Sequence, residues 1–270
     1  MLKGTAVTEE RAEIIRAEGL TKQFGALVAV DNVSYVLHEN EVAGVIGSNG
    51  AGKTTFFNLL TGYYPPDRGT IRYKGEDVTR MTPQQRVARG LMRTFQLTAT
   101  FDNLSVIDNL VLAFFRAHRK PSLLQLLLNT CKGQRNDPKI AEILETFDLR
   151  AIRGRLVKNL SLGEKRRLEI AMAVLAEPKV LLLDEPLAGL SESEIQAVLG
   201  VLRQRIGRQT ILIVEHKISH VQHFLQRLTV MHDGRVIADG PCEETLAHPE
   251  VRRSYWQIDT AGEQDRSVVA

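Results

Sequence analysis

The sequence predicts an α/β fold: a mixed, largely parallel sheet covered by helices, with a helical lobe inserted between the two sheet-forming halves of the chain. Three observations predict it. From residue 164 onward, apolar runs alternate with amphipathic stretches, the rhythm of parallel strands joined by helical crossovers. Between about 97 and 165 strand signals are missing and helical patterns stand between polar loops. A glycine-rich stretch, GSNGAGKTT at 47–55, lies between an apolar strand and a helix.

The elements follow in order. Residues 13–20, 28–37 and 41–46 read as strands, the last short and buried. A helix at 54–61 opens directly from the glycine-rich loop. Pro65, Pro66 and Gly69 mark a turn before a strand at 70–73, and 83–90 reads as a short helix with a glycine stop. The inserted lobe has helices at 104–115, 122–128 and 138–147. Then come helix 164–175, strand 180–183, helix 192–204, strand 210–214 and helix 218–226. Residues 228–232 and 235–238, flanking Asp233-Gly234, read as a hairpin. Residues 257–270 are polar and read as a flexible tail.

Composition sets bounds. The 270 residues, 43% hydrophobic and 25% charged, suffice for one sizeable core and a smaller lobe. A net charge of +3 without a long Lys/Arg block gives no electrostatic case for nucleic acid. Cys131 and Cys242 lie far apart without metal spacing and read as reduced thiols. No apolar run approaches the ~18–20 residues that span a bilayer. The N-terminal stretch carries charges where a signal peptide needs apolar residues. The expectation is a soluble, unexported chain that reaches a membrane only through a partner.

The chemistry starts at the loop. Gly47, Ser48, Asn49, Gly50, Ala51, Gly52, Lys53, Thr54 and Thr55 match the phosphate-loop pattern G-x-x-x-x-G-K-[ST] in its required strand–loop–helix context. Gly50 and Gly52 let the backbone wrap a phosphate with N–H groups inward, and the helix adds its positive dipole end. Lys53 is placed to reach the β- and γ-phosphates of ATP, and Thr54 to offer a hydroxyl to Mg2+. In VLLLDEP at 180–186, a buried strand carries Asp184 and Glu185 to its carboxyl end, where open α/β sheets bind ligands. Asp184 is placed to hold the Mg2+ water shell and Glu185 to orient the attacking water. A mere turn, or a capping pair for the next helix, is the plainer alternative for each motif, disfavoured because both occur together.

LSLGE at 160–164 resembles LSGGQ, the signature of the ATP-binding cassette (ABC) superfamily, and with the preceding motifs the resemblance covers about residues 13–256. It implies an ABC-type P-loop nucleotide-binding domain with an N-terminal antiparallel β subdomain. The implied layout is a core plus β subdomain from 13–96 and 166–240, a helical signature subdomain at 97–165, and C-terminal helices at 241–256. Ser161, Leu162, Gly163 and Glu164 sit at a helix N-terminus, a second anion site with outward N–H groups and a hydroxyl. In the family this surface meets ATP held on a second subunit, which implies a head-to-tail dimer, homomeric or heteromeric. Leu162 and Glu164 depart from the usual glycine and glutamine, and Ser191 in AGLS stands where aspartate is usual. The resemblance also implies adenine stacking for Phe24, where filling a core is the alternative. It implies contact with Mg2+ and water for Gln96 in RTFQ, and γ-phosphate sensing for His216.

Several segments resemble the larger ATP-binding subunit of branched-chain amino-acid importers: RTFQ, LSVIDNLVL at 104–112, GEKRRLEIA at 163–171, DEPLAGLSESE at 184–194, EHK at 215–217 and HPEVRRSYW at 248–256. Ser48 and Lys217 stand where proline and aspartate are common. The implied activity is ATP hydrolysis, with ATP and Mg2+, at the cytoplasmic face of the cell membrane. The implied partners are a second ATPase subunit, two permease subunits and, indirectly, a solute-binding protein. The solute itself is not legible, and urea or short amides fit as well. The apolar stretch at 114–128 reads either as a groove for a permease helix or as packing inside the lobe. The alternative is the ATPase of a lipid or lipopolysaccharide exporter. DNA-repair ATPases need a long inserted coiled coil, and ribosome-bound cassettes come in pairs; neither fits.

Overall fold

A computed structural model describes residues 11–94, 100–118, 134–215 and 218–255. The helix expected at 122–128, the tail from 257, and Gln96, Cys131, His216 and Lys217 lie outside the described residues.

Two sheets organise the chain. Strands β1 (Glu13–Phe24), β2 (Leu27–His38), β4 (Arg68–Tyr73) and β5 (Glu76–Asp77) form an antiparallel sheet in the order β2-β1-β4-β5. The larger sheet has the order β10-β9-β3-β8-β7-β6, built from β3 (Val42–Gly47), β6 (Leu91–Arg93), β7 (Val180–Asp184), β8 (Thr210–Val214), β9 (Arg227–His232) and β10 (Arg235–Pro241). All its pairings are parallel except β9 with β10, the hairpin expected at Asp233-Gly234.

The six-stranded sheet is buried on both faces, and strand alternation divides it between two cores. Val42, Leu181, Leu183, Ile211 and Ile213 face a core shared with helices α3 (Val106–His118), α4 (Pro138–Thr146), α5 (Leu162–Leu175) and α6 (Glu192–Arg203). Ala43, Val45, Val180, Leu182, Leu212 and Val214 face the other, shared with the antiparallel sheet and α1 (Lys53–Thr61). Each of these strands therefore reads as a continuous apolar run. Phe114 packs inside the first core, the packing alternative for the start of the 114–128 stretch.

Some boundaries differ from expectation. Strands β5 and β6 were not expected; two and three residues are too short to show a period. Helix α7 (Ile218–Val221) ends at Val221 rather than 226, because the chain must turn there to enter β9 beside β3. Helix α5 begins at Leu162, two residues early, since Ser161 caps it. Helix α2 (Pro83–Ala88) opens with a Thr82–Gln85 capping box. The chain ends in α8 (Cys242–Ala247) and α9 (Pro249–Tyr255). Cys242 is a buried free thiol, its pKa pushed up by burial. No described helix is long and apolar enough to cross a membrane.

One buried cation ties α1 to the antiparallel sheet. Arg86, on α2, is 1% exposed. Its guanidinium donates to the carbonyls of Leu59 (2.8 Å) and Leu60 (2.6 Å) in the last turn of α1, and to those of Val78 (2.6 Å) and Thr79 (3.1 Å). Burial pulls its pKa down to about 10, and the hydrogen bonds plus the helix C-terminal dipole offset that cost. Arg86→Met strips these four carbonyls of their donor and should cost about 3 kcal/mol or more, read as a lowered midpoint in urea denaturation.

Candidate functional site

The loop after β3 is shaped by glycines. Gly52 is the N-cap of α1 with φ 95°, and a Cβ there would lie 2.3 Å from the carbonyl oxygen of Ala29 on β2. Gly50 has φ 84° but faces open space. No side chain caps α1, so its first N–H groups point into the loop. That is the geometry an anion needs. Lys53 is buried and its ammonium donates across the loop to the carbonyls of Gly47 (2.8 Å) and Ser48 (2.9 Å). Burial lowers its pKa from the ordinary lysine value, while the charges of Glu185 and Asp184 oppose that shift. Those two acids stand at the end of β7, two strands away from β3 across β8.

Asp184 is held in place. The buried Arg93 of β6 forms an ion pair with its carboxylate and also donates to Asn58 Oδ1 of α1 at 2.6 Å. The motif reading passed over Arg93 and Asn58 as site residues; an arginine closing a buried strand beside an aspartate was the available signal. Glu185 follows at φ 47°, a left-handed conformation rare for a glutamate. Its N–H donates to the Val214 carbonyl of β8 at 2.9 Å, and Glu215 accepts from the Leu187 N–H at 2.9 Å.

Phe24 ends β1 at the hairpin into β2, and it is exposed (43%) rather than packed in a core. Its ring meets Tyr64 edge-on at 5.3 Å, and Lys22 Nζ lies 5.5 Å from its centroid. The same hairpin supplies the Ala29 carbonyl that abuts Gly52, so an aromatic face and the phosphate loop adjoin.

The LSLGE segment forms a reciprocal cap on α5. Ser161 Oγ accepts from Glu164 N (3.2 Å), and the Glu164 carboxylate accepts from Ser161 N (2.7 Å). The expectation of outward N–H groups and hydroxyl is thereby narrowed: the Ser161 and Glu164 N–H groups are engaged by the cap itself. The Ser161 N–H holds the Glu164 pKa below the ordinary glutamate value, and Arg155 pairs with the carboxylate at 2.9 Å. Leu162 projects outward at 72% exposure. Ser191 is a second self-capped position, its N–H (2.9 Å) and hydroxyl (2.7 Å) donating to Glu194. Lys53, Asp184 and Glu185 are close enough for their charges to interact, Phe24 ends the strand that pairs with the β2 strand abutting Gly52, and Ser161–Glu164 open another helix, α5.

The sequence profile of the ABC transporter family matches residues 30–188. The chain belongs to the ABC transporter family. This ABC protein is 38% identical, over 90% of its length and 97% of the relative's, to the high-affinity branched-chain amino acid transport ATP-binding protein LivG of Salmonella typhimurium. It is 35% identical over the same shares to BraF of Pseudomonas aeruginosa, which has the same description. The lipopolysaccharide export system ATP-binding protein LptB of Haemophilus influenzae is 35% identical over 90% of this chain and 96% of that protein. Among solved structures, the ADP conformation of MJ1267, an ATP-binding cassette of an ABC transporter, matches with a TM-score of 0.74 and 29% identity, over 91% of this chain and 99% of that one. The cassette fold expected from the motifs is the fold of this ABC ATPase.

Gly52→Ala should destabilise the ABC protein more than Gly50→Ala. The first adds a backbone clash to the left-handed penalty; the second carries only that penalty, about 1–2 kcal/mol. Urea unfolding of the two variants checks the order.

Proposed function

We propose that this cassette ATPase powers a membrane importer for branched-chain amino acids or similar small solutes. The observation that carries the reading is the 38% identity to LivG across 90% of the chain. The phosphate loop, with Asp184 and Glu185 facing it, supplies the chemistry. The layout proposed is a core and β subdomain (13–96 and 166–240), a helical signature subdomain (97–165) and C-terminal helices (241–256) within a 13–256 ATPase domain.

In this reading adenine rests on Phe24 and the phosphates lie in residues 47–55. Binding requires Lys53 to exchange its loop carbonyls for phosphate oxygens. The oxygens offered by Thr54 and Asp184 suit Mg2+, which takes one or two protein ligands besides phosphates and water. When bound, Mg2+ would neutralise phosphate charge; Gln96 is the third residue assigned to it.

Ser161, the backbone of Leu162 and Gly163, and Glu164 of a second subunit close over the γ-phosphate in a head-to-tail dimer. Glu185 orients and polarises a water, whose oxygen attacks the γ-phosphorus as the bond to the bridging oxygen breaks. ADP and phosphate leave, and Lys53 and His216 stabilise the charge that develops. Closing and opening of the dimer drives two permease subunits at the cytoplasmic face of the membrane, supplied by a solute-binding protein. The 35% identity to LptB favours a second reading, a lipopolysaccharide exporter's ATPase, which shares every chemical step.

Deleting the gene should abolish uptake of radiolabelled leucine, isoleucine or valine, restored by the wild-type gene and not by Glu185→Gln. Normal uptake in a host without a redundant importer would favour export. On the purified chain, Lys53→Ala should lose ATP affinity at least about a hundredfold. Glu185→Gln should keep that affinity while turnover falls at least about a hundredfold.

A further inference from the structure

The strained turn at Glu185 has an anchor that the motif reading passed over. Arg166, on the second turn of α5, is 6% exposed. Its guanidinium donates to three successive carbonyls at the end of β7: Asp184 (3.3 Å) and Glu185 through Nη2, and Pro186 (3.2 Å) through Nε. Nη1 reaches the carboxylate of Glu169, one turn further along the helix, at 3.3 Å. A planar fork of fixed donors thus spans the peptide planes on both sides of a residue at φ 47°.

Two further contacts join the same elements. The tip of the largely exposed Leu162 side chain touches the Gly189 backbone: a Cβ built there would lie 3.0 Å from Leu162 Cδ2. A Cβ on Gly163 would meet the Glu194 carboxylate at 2.6 Å. The beginning of α5 and the segment from 184 to 194 are therefore in contact. A left-handed glutamate persists only where its surroundings over-determine it. Here β8 holds its N–H, and Arg166 holds its carbonyl.

We propose that Arg166 is the positioning residue for the Glu185 carboxylate. Its buried fork fixes the backbone turn that aims Glu185 at the phosphate loop. It also makes α5, whose first residues serve the partner's nucleotide, the element on which the chain's own catalytic turn rests. The proposal depends on the catalytic reading of Glu185 given above. Lysine at 166 keeps charge and stem but, as a point donor, cannot span three carbonyls. Arg166 is not among the residues assigned to the nucleotide, so its loss should act on turnover and not on ATP binding.

The test uses the full chain in its assembled complex. ATP affinity, KM, kcat and thermal midpoint are measured for wild type, Arg166→Lys, Arg166→Gln, Glu185→Gln and both double variants. Arg166→Lys should lower kcat about tenfold or more, with ATP affinity and KM within about twofold, because a misaimed group costs rate rather than uniform binding. Each double variant should turn over no more than about twofold slower than Glu185→Gln alone, since residues acting as a unit are non-additive. An unchanged kcat in Arg166→Lys overturns the proposal. So does a double variant slowed by the product of the two single effects, or ATP affinity falling in step with kcat. If Arg166→Gln does not fold, Arg166→Lys and its double variant decide alone. If Glu185→Gln keeps wild-type turnover, the catalytic reading fails, and that single variant shows it independently of Arg166.

Discussion

The site depends on two places where the backbone of the phosphate loop lies against another backbone with no room for a side chain. A Cβ on Gly47 would lie 2.3 Å from the Met231 carbonyl of β9, and one on Gly52 equally close to that of Ala29 on β2. The loop is thus wedged between the parallel sheet and the antiparallel sheet. Both sheets share a core with α1, so the loop, the helix it opens and the Phe24 hairpin keep one geometry. Moving any of the three would strain the other two. A preset backbone is what an anion site made of N–H groups requires, because the donors cannot be swung into place one at a time.

Three buried arginines do the corresponding work for side chains. Arg86 ties the end of α1 to the turn after β5, Arg93 ties α1 to Asp184, and Arg166 ties α5 to the residues around Glu185. Each lies deep enough that water screens it little, and each reaches carbonyls or carboxylates that would otherwise be poorly satisfied. Packing alone would hold these elements at a distance from one another. The guanidinium forks also fix their rotation, which is what places two acids opposite a lysine-bearing loop.

What could be read from the sequence was what is local. GSNGAGKTT carries its own strand–loop–helix context, and VLLLDEP announces both its burial and the acids at its end. Helices α3, α4, α5 and α6 have enough turns to show their faces. What could not be read were pairings across long separations. Strand β6 is three residues recognisable only by its partner β7, and Arg93 looks like a surface charge until Asp184 and Asn58 are brought beside it. Arg166 sits in a run of charged residues that reads as a solvated helix face; only the tertiary fold turns it inward. The LSLGE segment was legible as a helix start, and its Ser-x-x-Glu spacing carried the local signal of a reciprocal cap that the motif resemblance passed over.

The order of the six-stranded sheet has a consequence for biosynthesis. Strand β3 is flanked by β8 and β9, and β6 by β7, so neither early strand pairs with anything made in the first half of the chain. At roughly 5–20 residues per second, β3 waits about eight to thirty-five seconds for β8, the first of its two neighbours to be translated. Throughout that interval its apolar VAGVIG stretch has no ladder to join. The nascent chain is then an open antiparallel sheet trailing an unpaired strand, and its most hazardous moment comes on the ribosome rather than after release.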